Sequence, residues 1–411
     1  MNKQIYDVAV IGGGPAGMMA AAIASRKGAK VVLLEKNDRL GKKLLITGKG
    51  RCNITTAETD INNIISSFGK NGKFLHSALY EFPSEKTIAF FNKYGVPTKV
   101  ERGQRVFPLS DQAQDILQVL INLLKETKVK IIRNCTVKKL IKKGDQIIKV
   151  ETNKSDISAQ KYILCTGGLS YPGTGSSGDG YKWAKLLGHT IVPTHPALVP
   201  IHIKEEWAKE MQGLSLKNVQ INIFQDNKKQ AERFGEAMFS HEGLTGPIIL
   251  DMSETVGRLL ENGPVELRLD LKPALDYPKL DLRLQRDFKE QSNKQFKNGL
   301  HALLPNKMIA IIIRLSGIDP DKQVNKITKE ERNKLLHLLK ELTFTPTALY
   351  GFDKAIVTAG GIKLKEIDPK SMKSKIIENL YFAGEILDLN GPTGGFNLQV
   401  CWSTGFLAGK E

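Results

Sequence analysis

Cysteine is scarce in this sequence. Cys52, Cys135, Cys165 and Cys401 are the only four in 411 residues. They are too few and too scattered to staple a chain of this size, so a disulfide scaffold is excluded and a reducing cytoplasm is the expected setting. No two form a CxxC pair, and no His/Cys group has the spacing of a metal site. No run reaches the roughly 18 apolar residues of a membrane span, and there are no repeats or low-complexity tracts. Acidic residues are in deficit, with 43 Asp and Glu facing 60 Lys and Arg for a formal net charge of +17. Such a field attracts phosphates, nucleic acid or anionic membrane. Along the whole chain, however, the cations are spread out, with no arginine-rich tail and no aromatic-interleaved RNA motif, which argues against a nucleic-acid partner.

The remaining composition is that of a globular chain, 41% hydrophobic and 25% charged. Its length suggests two or three domains at roughly 100–200 residues each. The N-terminus imitates a signal peptide, with Lys3, an apolar stretch from Val8 to Ala24 and an Ala22-Ile23-Ala24 end. Asp7 and the Gly12-Gly13-Gly14-Pro15 break interrupt that stretch, and cleavage would destroy the most informative motif in the chain.

That motif opens with the β-branched run Tyr6-Asp7-Val8-Ala9-Val10-Ile11. It continues through Gly12-Gly13-Gly14-Pro15-Ala16-Gly17 into an Ala-rich helix ending at Gly28, then a second strand from Lys30 that delivers Glu35. Gly12 permits the tight turn, Gly14 lets main chain approach a pyrophosphate, and Gly17 lets the helix pack on the strand. Pyrophosphate charge sits on the bare N–H groups of the helix start, where Pro15 and Ala16 lie. Glu35, with Lys36 beside it, is placed to accept from both adenosine ribose hydroxyls, and an acid there disfavours a 2′-phosphate.

FAD and NAD share this fingerprint, and two distant segments favour FAD. A strand from Lys161 ends in Thr166-Gly167-Gly168, after a hairpin-like stretch that includes Val137. Near the C-terminus a strand from Asn379 ends in Gly384-Glu385, followed by Gly394-Gly395-Phe396-Asn397 and a helix. A helix start near residue 395 aims N–H groups at the pyrimidine edge of a flavin, where negative charge develops on reduction. Gly173-Thr174-Gly175-Ser176-Ser177-Gly178 also fits GxGxxG, but no acid-tipped strand follows it. It reads as a turn before a helix from Tyr181 to Leu187 rather than as a nicotinamide domain. NAD(P)H remains open as a reductant without a domain of its own.

At this point the sequence resembles the flavoproteins with two dinucleotide-binding domains, and within them the bacterial BaiN-like family with its aminoacetone oxidase-type members. The most specific block is Gly41-Lys42-Lys43-Leu44-Leu45-Ile46-Thr47-Gly48-Lys49-Gly50-Arg51-Cys52-Asn53, which looks like the family's GxKxxxSGxGRCN with Thr47 and Lys49 for the usual Ser and Gly. Further matching blocks are Arg105–Pro108, Thr174–Gly180, the His241-to-Pro247 stretch and the C-terminal glycines. The resemblance implies tightly held FAD and an FAD-dependent oxidoreductase. It implies an α/β fold with a Rossmann-like FAD-binding domain of glutathione-reductase type.

The Gly48-to-Asn53 loop tracks from pyrophosphate towards the isoalloxazine. Lys43 and Gly50 belong to the same block, Arg51 offers donors to a phosphate or an anionic substrate, and Asn53 to a flavin or ribitol oxygen. Cys52 has no partner thiol within eighty residues and reads as packing beside the cofactor. Period-two stretches at Leu198–Ile203, Val219–Ile223 and Val265–Leu271 suggest a small barrel or sandwich, and 277–343 turns helical and basic. The expected organisation is an FAD domain of 1–196 and 344–411, a barrel-like insert of 197–276 and a helical insert of 277–343, with the insert capping the flavin. Hydride transfer at flavin N5 calls for an acid or base. Candidates are Arg51, Arg105, His195, His241 and Glu385, with Glu385 better suited to a ribitol hydroxyl. The expected activity is oxidation or reduction of a small-molecule substrate, by an amine oxidase using O2 or by a reductase or desaturase of carbon–carbon bonds. The alternative is a flavoprotein that binds nucleic acid, as in tRNA modification, and the sequence leaves oligomeric state open.

Overall fold

The computed structural model describes residues 5–241 and 243–411, so Lys3 and Glu242 lie outside the described residues. The chain forms two compact units, one of residues up to Ala197 together with Phe352–Glu411, the other Leu198–Gly351.

The first unit is built on a five-stranded parallel sheet. Its strands run in the order Leu380–Phe382, Ser158–Leu164, Ile5–Ile11, Val31–Leu34, Lys130–Ile132. Val8 pairs with Val31 and Val10 with Ile163, which puts the glycine fingerprint at the end of the central strand. Val31–Leu34 is wholly buried, as expected for a parallel strand covered on both faces. The Pro15–Arg26 helix starts with Pro in its first turn after Gly14 and buries the small residues Ala16, Gly17, Ala20, Ala21 and Ala24. That thin surface lets the C-terminal helix, Phe396–Lys410, come close. A Cβ on Gly405 would lie 2.5 Å from the Ala16 carbonyl oxygen, and one on Gly409 2.4 Å from that of Ala20. Smaller pieces complete the unit. Thr55–Thr56, Arg105–Pro108 and Thr98–Glu101 form a three-stranded antiparallel sheet, Val137–Lys143 and Gln146–Thr152 a hairpin, and Ile191–Ala197 pairs with Val357–Ile362.

The second unit holds a seven-stranded antiparallel sheet whose two end strands are Leu342–Phe344 and Pro346–Leu349. Only Thr345 separates them, so the sheet curls until its edges approach each other, which gives the barrel-like form. Four helices of eleven to fourteen residues, Pro247–Leu260, Tyr277–Glu290, Asn306–Ser316 and Lys329–Lys340, accompany it. Sequence patterning separates barrel from helical insert at residue 277, but one core serves both. Ile221, Ile223 and Leu267 of the sheet join Leu280, Leu284, Ile312 and Leu335 of the helices in a single buried cluster. An amphipathic helix is stable only where its apolar stripe has a partner, and here the sheet supplies it. The return to the first unit falls at Phe352 and not at 344, because Pro346–Leu349 pairs with Ile201–Ile203.

Candidate functional site

The fingerprint turn has the geometry that its glycines predict. Gly12 is at φ +109°, and a Cβ there would lie 2.4 Å from the Cys165 carbonyl oxygen. On Gly17 a Cβ would meet the Gly12 carbonyl oxygen at 1.9 Å, so the third glycine is required for helix-on-strand packing. Gly14 differs, because nothing lies within 4 Å of the position its Cβ would take. Open space therefore stands over the start of a helix with no side-chain cap and no acid in its first turn, a ready site for pyrophosphate oxygens. Glu35 is buried beside it. Its Oε2 accepts from the Gly13 N–H at 2.7 Å, and its Oε1 accepts from the Asn37 N–H and Nδ2, both at 2.8 Å. The carboxylate is thus fixed in orientation and keeps lone pairs for ribose hydroxyls. Val137 is buried two residues past Cys135, whose N–H donates to the Glu35 carbonyl at 2.9 Å. Lys36 turns instead to Asp179, at 3.0 Å, and ties the 173–179 turn to the second strand. That turn leads into the Asp179–Leu186 helix with no strand after the manner of a nicotinamide fingerprint.

Lys43 and Glu385, 342 residues apart in sequence, meet at 2.6 Å and are largely shielded from solvent. Ser170 accepts from Lys43 and donates to Glu385, and the Thr358 N–H donates to Glu385 Oε1 at 3.0 Å. Thr358 Oγ1 in turn accepts from the Leu169 and Ser170 N–H groups. Lys43 and two further donors surround the Glu385 carboxylate and fix its orientation, which makes it a positioned acceptor. Thr166 and Gly167 border this network, Gly167 at φ +69° with Ser176 and Glu385 nearby. Ser170 and Thr358 are not singled out by the sequence. Their only signals are the Thr-Gly-Gly that precedes Ser170 and the Gly360-Gly361 that follows Thr358.

The Gly48-to-Asn53 loop is wound tightly, with Gly48, Lys49, Gly50 and Cys52 all at positive φ. Arg51 is committed to two carboxylates of the protein itself and not to a phosphate or an anionic substrate. It binds Asp111 at 2.6 Å, pairs with Glu101 and lies 4.2 Å over the Phe107 ring, so it fastens the loop to the neighbouring sheet. Arg105 belongs to the same cluster, 4.0 Å from Glu101. Cys52 is fully buried, and burial pushes its thiol up to about 12, which removes the thiolate that redox chemistry needs. Asn53 Oδ1 is buried without a hydrogen-bond partner among the described residues. A buried amide oxygen without a donor is costly, and here it points to a donor supplied by a ligand.

Gly395, at φ +99°, sits against the Thr55 main chain, where a Cβ would lie 2.3 Å from the carbonyl carbon. Phe396 then starts the C-terminal helix, which has neither a side-chain cap nor an acid in its first turn, so its first N–H groups are available. Asn397 uses its amide to close the preceding loop, accepting from the Gly391 N–H and donating to the Gly391 carbonyl, both at 2.8 Å. Gly394, at φ +115°, and Gly384, at φ +80° with Ala16 behind it, shape the same region. His195 lies exposed on the Ile191–Ala197 strand, and His241 lies exposed in the other unit at a turn closed by Ser240 N–H to the Gly243 carbonyl. His195 pairs with Ala359, next to Thr358 of the network above.

The profile of the HI0933-like protein Rossmann domain matches residues 6–411. The chain belongs to this family. Among HI0933-like relatives, a 3-dehydro-bile acid delta(4,6)-reductase of Clostridium scindens is 31% identical over 408 residues, 98% of each chain. A ribosomal RNA dihydrouridine synthase of Escherichia coli is 29% identical, over 99% of this chain and 98% of the relative. Solved structures share the fold. A 3-ketosteroid delta1-dehydrogenase from Sterolibacterium denitrificans gives a TM-score of 0.53 at 14% identity over 98% of each chain. A quinol-fumarate reductase gives 0.54 at 16%, covering 100% of this chain and 71% of that one. The protein is an FAD-dependent oxidoreductase of the α/β Rossmann class. As an HI0933-like member it offers FAD an open cradle at Gly14, a fixed acceptor at Glu35 and a donor-seeking Asn53, so the residues present fit the cofactor. No described helix is long and apolar enough to cross a membrane.

Proposed function

We propose that this protein uses FAD to reduce a carbon–carbon double bond conjugated to a carbonyl in a small-molecule substrate. The observation that carries the reading is the full-length similarity to a bile acid delta(4,6)-reductase. The dihydrouridine synthase name supports the same chemistry, since a dihydrouridine is a uridine whose conjugated C5=C6 bond has been saturated. When bound and reduced, FAD would supply hydride chemistry at N5 for the β-carbon, with a proton from solvent for the α-carbon. This chain's own residues hold and orient the cofactor. Glu35, with Val137 nearby, would hold the adenosine half, and the Gly12–Ala16 turn the pyrophosphate. Thr166, Gly167 and the Lys43–Glu385 pair would hold the ribitol, and Asn53, Gly50 and the 394–397 helix start the isoalloxazine. The buried thiol of Cys52 supports direct transfer from flavin over a thiol relay. The bile-acid reductase relative favours this reading over an amine oxidase.

The test is anaerobic. Purified protein is reduced with NADH, NADPH or dithionite and mixed with a steroid 4-en-3-one, and flavin reoxidation and loss of enone absorbance are followed together. Oxidised flavin regained in a one-to-one ratio with enone lost supports the reading. Flavin that amines reduce and only O2 reoxidises overturns it in favour of an amine oxidase.

A further inference from the structure

One face of the FAD unit carries charge that its own fold does not neutralise. Residues 125–154 hold ten lysines and arginines against three acids, Glu126, Asp145 and Glu151. Ten of the 60 cations of the chain fall within these thirty residues. This stretch folds as the end of the Ala113–Glu126 helix, the edge strand Lys130–Ile132 and the 137–152 hairpin. The hairpin base is fastened to the strand end, with Asn153 N–H donating to the Thr136 carbonyl at 3.0 Å and Lys154 Nζ to the Arg133 carbonyl at 2.7 Å. These ties bring the cations at the strand end and the hairpin base together.

Of the ten, only Lys149 is ion-paired among the described residues, to Glu151 at 2.9 Å and Asp156 at 2.8 Å. The other nine are exposed and have no carboxylate partner. The nearby acids do not change the balance. Glu126 reaches towards Arg26, and Glu378 accepts from Gln146. Lys130, Arg133 and Lys154 line a groove of about 490 Å³ in which Asp38 is the one carboxylate. The edge strand that forms the groove wall leaves main-chain groups unpaired on its outer side. Nine exposed like charges within one segment of thirty residues repel each other in the free protein, and a polyanion relieves that repulsion. Residues 125–154 contain no aromatic side chain, so bases have nothing to stack on. A membrane surface would call for apolar anchors, and Ile148, 47% exposed, is the only large exposed apolar side chain of this stretch.

We propose that the 125–154 face binds the phosphodiester backbone of a nucleic acid without reading its bases. The inference stands apart from the proposed reduction, because it concerns a surface and not the flavin cradle.

The holoprotein is titrated into a fluorescein-labelled RNA hairpin, a duplex DNA of matched length and anionic phospholipid vesicles. Three variants accompany it. In the first, Lys138, Lys139, Lys142 and Lys143 are all changed to Glu. The second carries Gln at the same four positions, in case reversal disturbs folding, which FAD content reports. The control makes the same charge reversal at the exposed Lys217, Lys228, Lys289 and Lys294 of the other unit. With about six phosphate contacts, wild-type affinity for nucleic acid should fall about a thousandfold between roughly 50 and 200 mM salt. The hairpin reversal should weaken binding at least about a hundredfold, the control should stay near wild type, and probes of permuted sequence should bind alike. Equal loss in the control, salt-insensitive binding, or binding to vesicles but not to nucleic acid overturns the proposal. Enone reduction by the hairpin variants should match wild type, so failure of the reductase reading leaves this test interpretable.

Discussion

At the scale of single residues, burial decides what each titratable group does. Cys52 sits in the most distinctive motif of the chain, yet it is a buried thiol held far from ionisation. Cys52→Ser should retain FAD, and flavin reduction by the best reductant should stay within about tenfold of wild type, a difference near 1.4 kcal/mol. Loss of turnover with an intact spectrum, together with a charge-transfer band in the wild type, would restore a redox role. His189 is a second case and carries no motif at all. Its side chain is fully buried between Glu366, 3.2 Å from Nδ1, and Ser374, 2.9 Å from Nε2. Burial lowers its proton affinity more than Glu366 raises it. The unfolded chain then takes up the proton first, near pH 6.5, so stability is lost as pH falls below that value and levels off below the folded pKa. Urea midpoints measured between pH 7.5 and 5.5 should fall in the wild type and fall less in His189→Gln.

Elements are positioned by polar ties that leave little trace in the sequence. Gln399 is buried on the C-terminal helix. Its Oε1 accepts from Thr55 at 2.6 Å and Thr87 at 2.9 Å, while its Nε2 donates to the Phe82 carbonyl at 2.8 Å. The helix start at Gly395 rests on the same Thr55 segment, two residues past Asn53, so one glutamine sets the spacing of two parts of the flavin cradle. Gln399→Leu leaves the hydroxyls of Thr55 and Thr87 buried without this acceptor and should cost about 2 kcal/mol. Thermal unfolding of the variant should come at lower temperature, and FAD should dissociate faster on dilution. An unchanged FAD off-rate would show that the helix start is held by packing alone. The fingerprint glycines, by contrast, are legible in advance, because each answers a local demand: positive φ at Gly12, contact with the Gly12 carbonyl at Gly17, and open approach at Gly14.

On the scale of the whole molecule, the chain leaves the FAD unit once and returns once. Ala197 pairs with Val357 in one unit, and the Tyr350 N–H donates to the Pro200 carbonyl at 3.1 Å in the other. Each unit thus brings its own two chain crossings together, and each has its own core. A protein in which a short glycine-serine linker joins Ala197 directly to Phe352 should fold and bind FAD, since the cradle residues named above lie in the FAD unit. Cofactor release on denaturation, measured by chromatography, checks this. Absence of bound FAD in a folded, monodisperse product would show that residues 198–351 contribute to cofactor retention.

The FAD fingerprint, the class of fold and the family resemblance can be read along the chain. These depend on backbone conformation and on hydrophobic periodicity, which neighbouring residues impose. The tertiary structure alone decided how distant side chains pair. It brought Lys43 to Glu385 and turned Arg51 towards Glu101 and Asp111. It put barrel and helices on a single core. Such meetings depend on long-range approach in space, which spacing along a chain does not encode.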